Sequence, residues 1–299
     1  MNISSQNKQH ESNQLVAVIG LLFGAFCWGI IWFPYRIMSD AGISGAVSSF
    51  YTYLIATTIG CIYCAKHWRG LFKLPLSIVW LAIFAGWTNL AYVLAVIDGE
   101  VMRVMLLFYL SPLWTLILAH FWLKEKTQLT GYIAIGISIL GAFIMLYNPH
   151  ISNMPLPRNT SEWLALSAGM GFSLSNVITR RSAHLSLRAK SFAVWIGVLS
   201  MSLTFMIFTH NITMPSFLSA TNWLVMLGIA LLLIAATLFV QYGVTKIPAT
   251  RASVLFLFEL VVAAIASYYL ANESMVLNEW IGGTLIVSAA IFATLNNSN

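Results

Sequence analysis

Charge is what this 299-residue sequence has least of. Asp, Glu, Lys and Arg together make up 8% of it, against about 25% in an ordinary soluble domain. Hydrophobic residues make up 59%, and mean hydropathy is +0.83. A water-soluble fold of this length has nowhere to bury so much apolar surface, so the composition selects lipid as the solvent. Cysteine is scarcer still in number, with three residues. Cys27, Cys61 and Cys64 all lie in apolar runs, which excludes a disulfide framework. Cys61 and Cys64 have CxxC spacing with His67 three residues on. A metal or redox site there needs further ligands, so these are read as small packing residues and no metal or cofactor is expected. No GxxxxGK[ST] loop is present, so ATP does not drive the protein directly.

What fills the chain is apolar runs of helix-spanning length. A helix of about twenty residues crosses a hydrocarbon core of roughly 30 Å. Ten such spans are predicted, near 15–38, 44–65, 76–97, 101–123, 128–147, 161–179, 189–209, 222–245, 250–271 and 278–296. Residues 1–14 form a polar tail without the basic and apolar regions of a signal peptide. The stretch from Arg103 to Glu125 is echoed 148 positions later by Arg251 to Glu273. At that offset Leu107 meets Leu255, Phe108 meets Phe256, Ile117 meets Ile265 and Glu125 meets Glu273. The register continues into the following span, where Ile133 meets Ile281. The expectation is therefore an all-α polytopic membrane protein of two five-helix repeats, 15–147 and 161–299, joined by a proline-bearing linker at 148–160.

Charge placement orients the chain. With the N-terminus inside, twelve of the 15 Lys and Arg residues fall on inner segments, among them Lys124, Lys126, Arg180, Arg188, Lys190 and Lys246. Only Arg36, Arg103 and Arg158 fall outside. That is a positive-inside pattern, so the basic excess is an orientation signal and nucleic acid is not a partner. Both termini are expected in the cytoplasm. Because five is odd, the second repeat must enter the membrane from the opposite face. Inverted repeats of this kind build alternating-access transporters, with the solute site near mid-membrane between them.

Layout and motifs together resemble the EamA family of the drug/metabolite transporter superfamily. Trp28-Gly29 stands where that family has Trp-Gly. Pro112 matches its mid-helix proline, and Glu125 and Glu273 match its hairpin glutamates. Glu259 matches the acid of a frequent Glu-Pro pair. The chain departs from the pattern at Leu260 (for proline), Phe172-Ser173 (for Trp-Gly), and Lys124 and Asn272 (for glycine). The resemblance implies a ten-helix fold in a cell membrane, that of a bacterial inner membrane, and export of an amino acid, another metabolite or a drug. It does not name the substrate.

Candidate site residues follow from polar groups at membrane depth. Glu259 lies mid-span in the ninth helix; a charge there costs about 2.5–3.5 kcal/mol on insertion scales, so it must face a cavity, find a partner or carry a proton. The functional readings are a site for a substrate amine or a proton-coupling group. Thr237, Gln241 and Thr245 recur at i, i+4 and i+8 along one face of the eighth span, which should face a cavity or a partner helix. Gln241 is the best cavity candidate. Asn89 with Tyr92, and Ser173 with Asn176, recur at i, i+3. Asn89 and Asn176 suit either a polar group of the substrate or a bond between helices. Trp28, Trp32 and Trp114 offer aromatic faces for an apolar, aromatic or cationic ligand, or serve as interface anchors where they lie near a membrane boundary. Pro112 is expected to open the helix ladder near Phe108 as a hinge. Arg36 and Arg180, 144 positions apart, are read as anchors or gating ion-pair groups. Gly20 and Gly24 are read as a close helix contact and His120 as a headgroup-level residue.

The reading is a secondary exporter of a small organic solute such as an amino acid, its partners being that solute and the bilayer. The alternatives are a multidrug exporter of the same fold and an intramembrane enzyme. The enzyme needs clustered acids or a nucleophile beside a base, whereas Asp40, Asp98, Glu100 and His120 are scattered.

Overall fold

In lipid a backbone must satisfy its own hydrogen bonds, and apolar runs of this length do so as helices. The computed structural model describes residues 3–64, 75–99, 101–125, 128–146, 157, 159–210, 219–270 and 277–295, and every regular element among them is helical. The elements are α1 (Ile3–Asp40), α2 (Gly45–Cys64), α3 (Leu76–Asp98), α4 (Val101–Phe108), α5 (Ser111–Leu118), α6 (Leu129–Leu146), α7 (Thr160–Arg181), α8 (Leu187–Phe208), α9 (Ala220–Lys246), α10 (Ala249–Phe256), α11 (Phe258–Leu270) and α12 (Leu277–Leu295). Among the described residues six helices, α10 and α11 counted together, are long and apolar enough to cross a membrane, and shorter apolar helices accompany them. Large apolar side chains such as Phe121, Phe208 and Leu277 point outward. The protein is a multi-pass membrane protein. Most of the predicted linker at 148–160, and also His67, Glu100, Lys126 and Glu273, lie outside the described residues.

Helix pairing follows an exchange rule between the halves. The packing of α3 on α7 has its counterpart in α9 on α1, and that of α3 on α8 in α9 on α2. Likewise α4 and α5 pack on α7 as α10 and α11 pack on α1, while α6 pairs with α12 and α2 with α8. Close crossings fall where the sequence supplies glycine. A Cβ on Gly197 would sit 2.1 Å from the Ala82 carbonyl oxygen, and one on Gly86 2.5 Å from the Gly197 oxygen. Gly20 and Gly24 meet Phe239 and Val240 of α9, the close contact their spacing predicts.

Two predicted spans are broken. Tyr109 and Leu110 form a turn between α4 and α5, and Pro112 sits at the start of α5, where its missing N–H costs nothing. Proline thus acts one turn upstream of itself, by denying α5 a continuous ladder with α4. The other break, at Leu257 between α10 and α11, has no proline and was not foreseen. Both use the same tight pattern: Leu110 N–H donates to Leu107 O and Leu257 N–H to Val254 O. Leu113 N–H to Leu110 O and Leu260 N–H to Leu257 O complete the turns.

Candidate functional site

The two breaks face one cavity. It is lined from α1 by Trp28, from α3 by Thr88, Asn89 and Tyr92, and from α4 by Phe108. From the second half come Phe172, Ser175 and Asn176 of α7, Val194 of α8, Thr237 and Gln241 of α9, Phe256 of α10 and Glu259 of α11. Water-sized molecules have about 70 Å³ there, enough for a few waters at about 10–15 Å³ each. Drug-sized sites run from about 300 Å³, so this cavity is small for an organic solute.

Repeat-related residues meet at this point. Phe108 and Phe256, paired by the 148-residue offset, both line it, as do Trp28 and Phe172, paired by 144. Their rings form a chain: Phe172 lies 5.5 Å from Phe108 and 5.0 Å from Phe256, and Tyr92 joins Phe108 (5.2 Å) to Trp28 (6.2 Å). Ser173 donates to the Ser111 carbonyl at 2.8 Å. At the equivalent place in the other half Gly29 brings α1 against the Glu259 carbonyl, 2.9 Å from where a Cβ would stand.

Glu259 is the one charged side chain among the lining residues, 5% exposed and in the first turn of α11. A helix N-terminus favours negative charge, so the break gives an acid at membrane depth local support. The Tyr109 hydroxyl approaches its carboxyl without completing a hydrogen bond of normal geometry. Aromatic faces around one carboxylate, with three amides and several hydroxyls, form a chemical environment for a positively charged organic group.

Of the predicted residues, the structure brings Trp28, Asn89, Tyr92, Asn176, Gln241 and Glu259 together. It does not bring Trp32 or Trp114 there. Trp32 is buried in the core under the Arg36 guanidinium, 5.1 Å from its ring centre. Trp114 is half-buried on α5. Pro112 is buried at the α5 start. Ser173 bonds the neighbouring break instead, and Ser175 takes the lining position.

One end of the bundle carries a polar latch. A π-helical turn over Ala119–Leu123 and a left-handed Lys124 (φ 51°) turn Glu125 back toward the bundle. Glycine takes this conformation freely, whereas a lysine rarely does. Glu125 Oε1 accepts from Arg180 Nε at 3.0 Å, and Oε2 from the Ala249 N–H at 3.1 Å. Arg180 also donates to the Thr245 carbonyl at 2.7 Å. Lys190, 1% exposed, donates to the Thr245 hydroxyl. One turn along α9, Gln241 accepts from Thr179 at 3.1 Å, so the latch abuts the cavity. The stripe Thr237, Gln241, Thr245 thus serves the cavity with its first two members and the latch with its third. His120 is exposed beside Phe121. Among the described residues no three His, Cys, Asp or Glu side chains are grouped to hold a metal.

Comparison with known proteins agrees with this architecture. The profile of the EamA-like transporter family matches residues 15–147 and again 159–295. An uncharacterized transporter of Archaeoglobus fulgidus is 23% identical over 270 residues, covering 86% of this chain and 94% of the relative. S-adenosylmethionine uptake transporters of Rickettsia bellii and Rickettsia prowazekii are 26% and 25% identical over 71% of this chain. A solved crystal structure of a protein superposes with a TM-score of 0.74 over 95% of this chain and 98% of its own, at 16% identity, a likeness of fold.

Proposed function

Since the chain belongs to the EamA-like transporter family, we propose that it is a secondary transporter that moves a small, positively charged organic solute across a bacterial inner membrane. The solute is an amino acid or related amphipathic metabolite. Two inverted five-helix units, 15–147 and 161–299, with the segment 148–160 between them, cross the bilayer ten times and rock about the shared cavity, both termini in the cytoplasm. The observation that carries the reading is Glu259 among Trp28, Tyr92, Phe108, Phe172 and Phe256, where the halves meet at two helix breaks. Glu259 holds the cation or a proton in turn, so solute leaving the cell exchanges for protons entering. The latch of Glu125 and Arg180 closes the cytoplasmic end while the outer end exchanges.

Net direction follows the gradients, because one cavity opening alternately to both sides runs either way. The relatives named for S-adenosylmethionine uptake support a second reading, inward movement of that sulfonium compound. It meets the same carboxylate and rings but needs a wider state of the cavity.

The test is a thermal-shift screen of purified protein with amino acids, amines and S-adenosylmethionine, since a ligand that binds only the folded state raises its stability. Hits then enter counterflow in proteoliposomes. Saturable exchange by wild type, and its loss or loss of its pH dependence in Glu259→Gln, is the expected result. Wild-type turnover and pH dependence in that variant would remove Glu259 from the mechanism.

A further inference from the structure

Hydroxyls buried in apolar helices usually return to their own backbone four residues earlier. Thr88 does so on Phe84 O at 2.7 Å, and Ser173 on Gly169 O at 3.0 Å. On the first half of α2 the habit fails, as it also does at Thr57, Thr115, Ser138, Ser191 and Ser202. Ser49 and Thr52 are 1% and 0% exposed, and neither hydroxyl completes a hydrogen bond. The Tyr35 hydroxyl of α1 lies beside both. Further in, the Tyr53 hydroxyl donates to Asn89 Oδ1 at 2.6 Å, and Asn89 lines the cavity with Glu259. Tyr92 and Tyr109, whose hydroxyls also lack partners, flank that carboxyl. These groups therefore run in order from the end of the bundle that carries Asp40 and Gly45 to the middle of the cavity.

Buried hydroxyls left unpaired in this number require partners, and water is the one molecule small and polar enough to bridge a file of them. We propose that Tyr35, Ser49, Thr52, Tyr53 and Asn89 hold a file of waters that carries protons between Glu259 and the outer end of the bundle. The inference rests on the reading of Glu259 as the proton-carrying group. A proton taken up by the outermost water is passed along the file by exchange of O–H bonds and ends on a Glu259 oxygen, which loses its negative charge. Return along the file restores the carboxylate and releases the proton outside. The tyrosines and the amide anchor the waters and do not themselves ionise. Asn89 in particular accepts from Tyr53 and relays nothing, so the waters must pass beside it.

The groups that face Glu259 leave it alone in this role. Tyr92 comes from α3 and Tyr109 from the first helix break, while α1, α7, α8, α9 and α10 present Trp28, Asn176, Val194, Gln241 and Phe256, none of which titrates. At the other end Glu125, Arg180 and the buried Lys190 form the latch, so in this state the file reaches one side of the membrane only.

The test uses the proton itself as probe. Full-length protein is reconstituted in proteoliposomes, and time-resolved infrared difference spectra are taken after a pH jump on one side. The carboxyl band abolished by Glu259→Gln reports the arrival of the proton. Tyr53→Phe, which keeps the ring and loses the hydroxyl, is expected to slow that band at least tenfold for a jump on the outer side. Thr52→Val, of nearly the same shape, is expected to do the same and decides the matter if Tyr53→Phe fails to fold. Wild-type rates in a folded Tyr53→Phe and in Thr52→Val would overturn the water file while leaving Glu259 as the proton carrier. If Glu259→Gln abolishes no pH-responsive band, proton coupling at Glu259 falls and takes the file with it.

Discussion

Removing the Glu125 carboxylate should unlatch one end of the bundle. It accepts a charge-assisted bond from Arg180 at 3.0 Å and one from the Ala249 N–H at 3.1 Å, and so ties the turn that follows α5 to α7 and to the start of α10. Hydrogen bonds to charged groups contribute about 1.5–3 kcal/mol each. The two side chains of the ion pair are 26% and 21% exposed, so screening by solvent puts each bond at the low end of that range. Two bonds at that end total about 3 kcal/mol, and at 1.4 kcal/mol per decade the closed latch loses roughly a hundredfold in population. Glu125→Gln keeps an acceptor for Ala249 and should lose about half as much.

The assay replaces Ser175, which lines the cavity, with cysteine in a background whose native cysteines are changed to alanine. Labelling by a membrane-impermeant thiol reagent added on the side of the latch should speed up by one to two orders of magnitude in Glu125→Ala, and by less in Glu125→Gln. A double-mutant cycle with Arg180→Ala isolates the pair and should give a coupling of about 1–2 kcal/mol. Unchanged labelling in Glu125→Ala, in a protein that still elutes as a folded species, would refute the latch.

Trp28→Ala should weaken solute binding up to about tenfold, the loss of one cation–π face, read by the thermal-shift response. Lys190 is buried against a hydroxyl with no carboxylate in ion-pair reach among the described residues; Lys190→Met should therefore leave stability unchanged or raise it, read as melting temperature. Gly197→Ala forces a methyl into the Ala82 carbonyl and should destabilise by about 1–3 kcal/mol or more, read as a fall in melting temperature and folded yield.

Much of this was legible in the chain before any coordinates. Composition alone gave lipid as the solvent, and polar residues at helical spacing marked Asn89, Tyr92, Asn176, Gln241 and Glu259 because a polar group at that depth needs a reason. The 148-residue register paired Phe108 with Phe256, but an apolar pair gives no sign of facing a cavity rather than lipid. Their role, like that of Phe172, emerges only once two breaks are seen to converge. Proline announced the first break. The second rests on a tight turn at Leu257 that no residue type signals. Trp32 misled for the opposite reason: it shares a helical face with Trp28, yet one turn along it meets Arg36 and the core. Lys124 looked like a plain departure from the family's glycine and is a residue held at positive φ.

The rocking motion can be measured as two distances at once. Spin labels at residues 124 and 246 report the end that carries the Glu125–Arg180 pair, and labels at residues 98 and 220 report the opposite end, all exposed positions on different halves. As saturating solute or a pH change shifts the protein between states, pulsed electron resonance should show one distance lengthening while the other shortens. Two distances that stay fixed, or that move together, would contradict alternating access about a shared cavity.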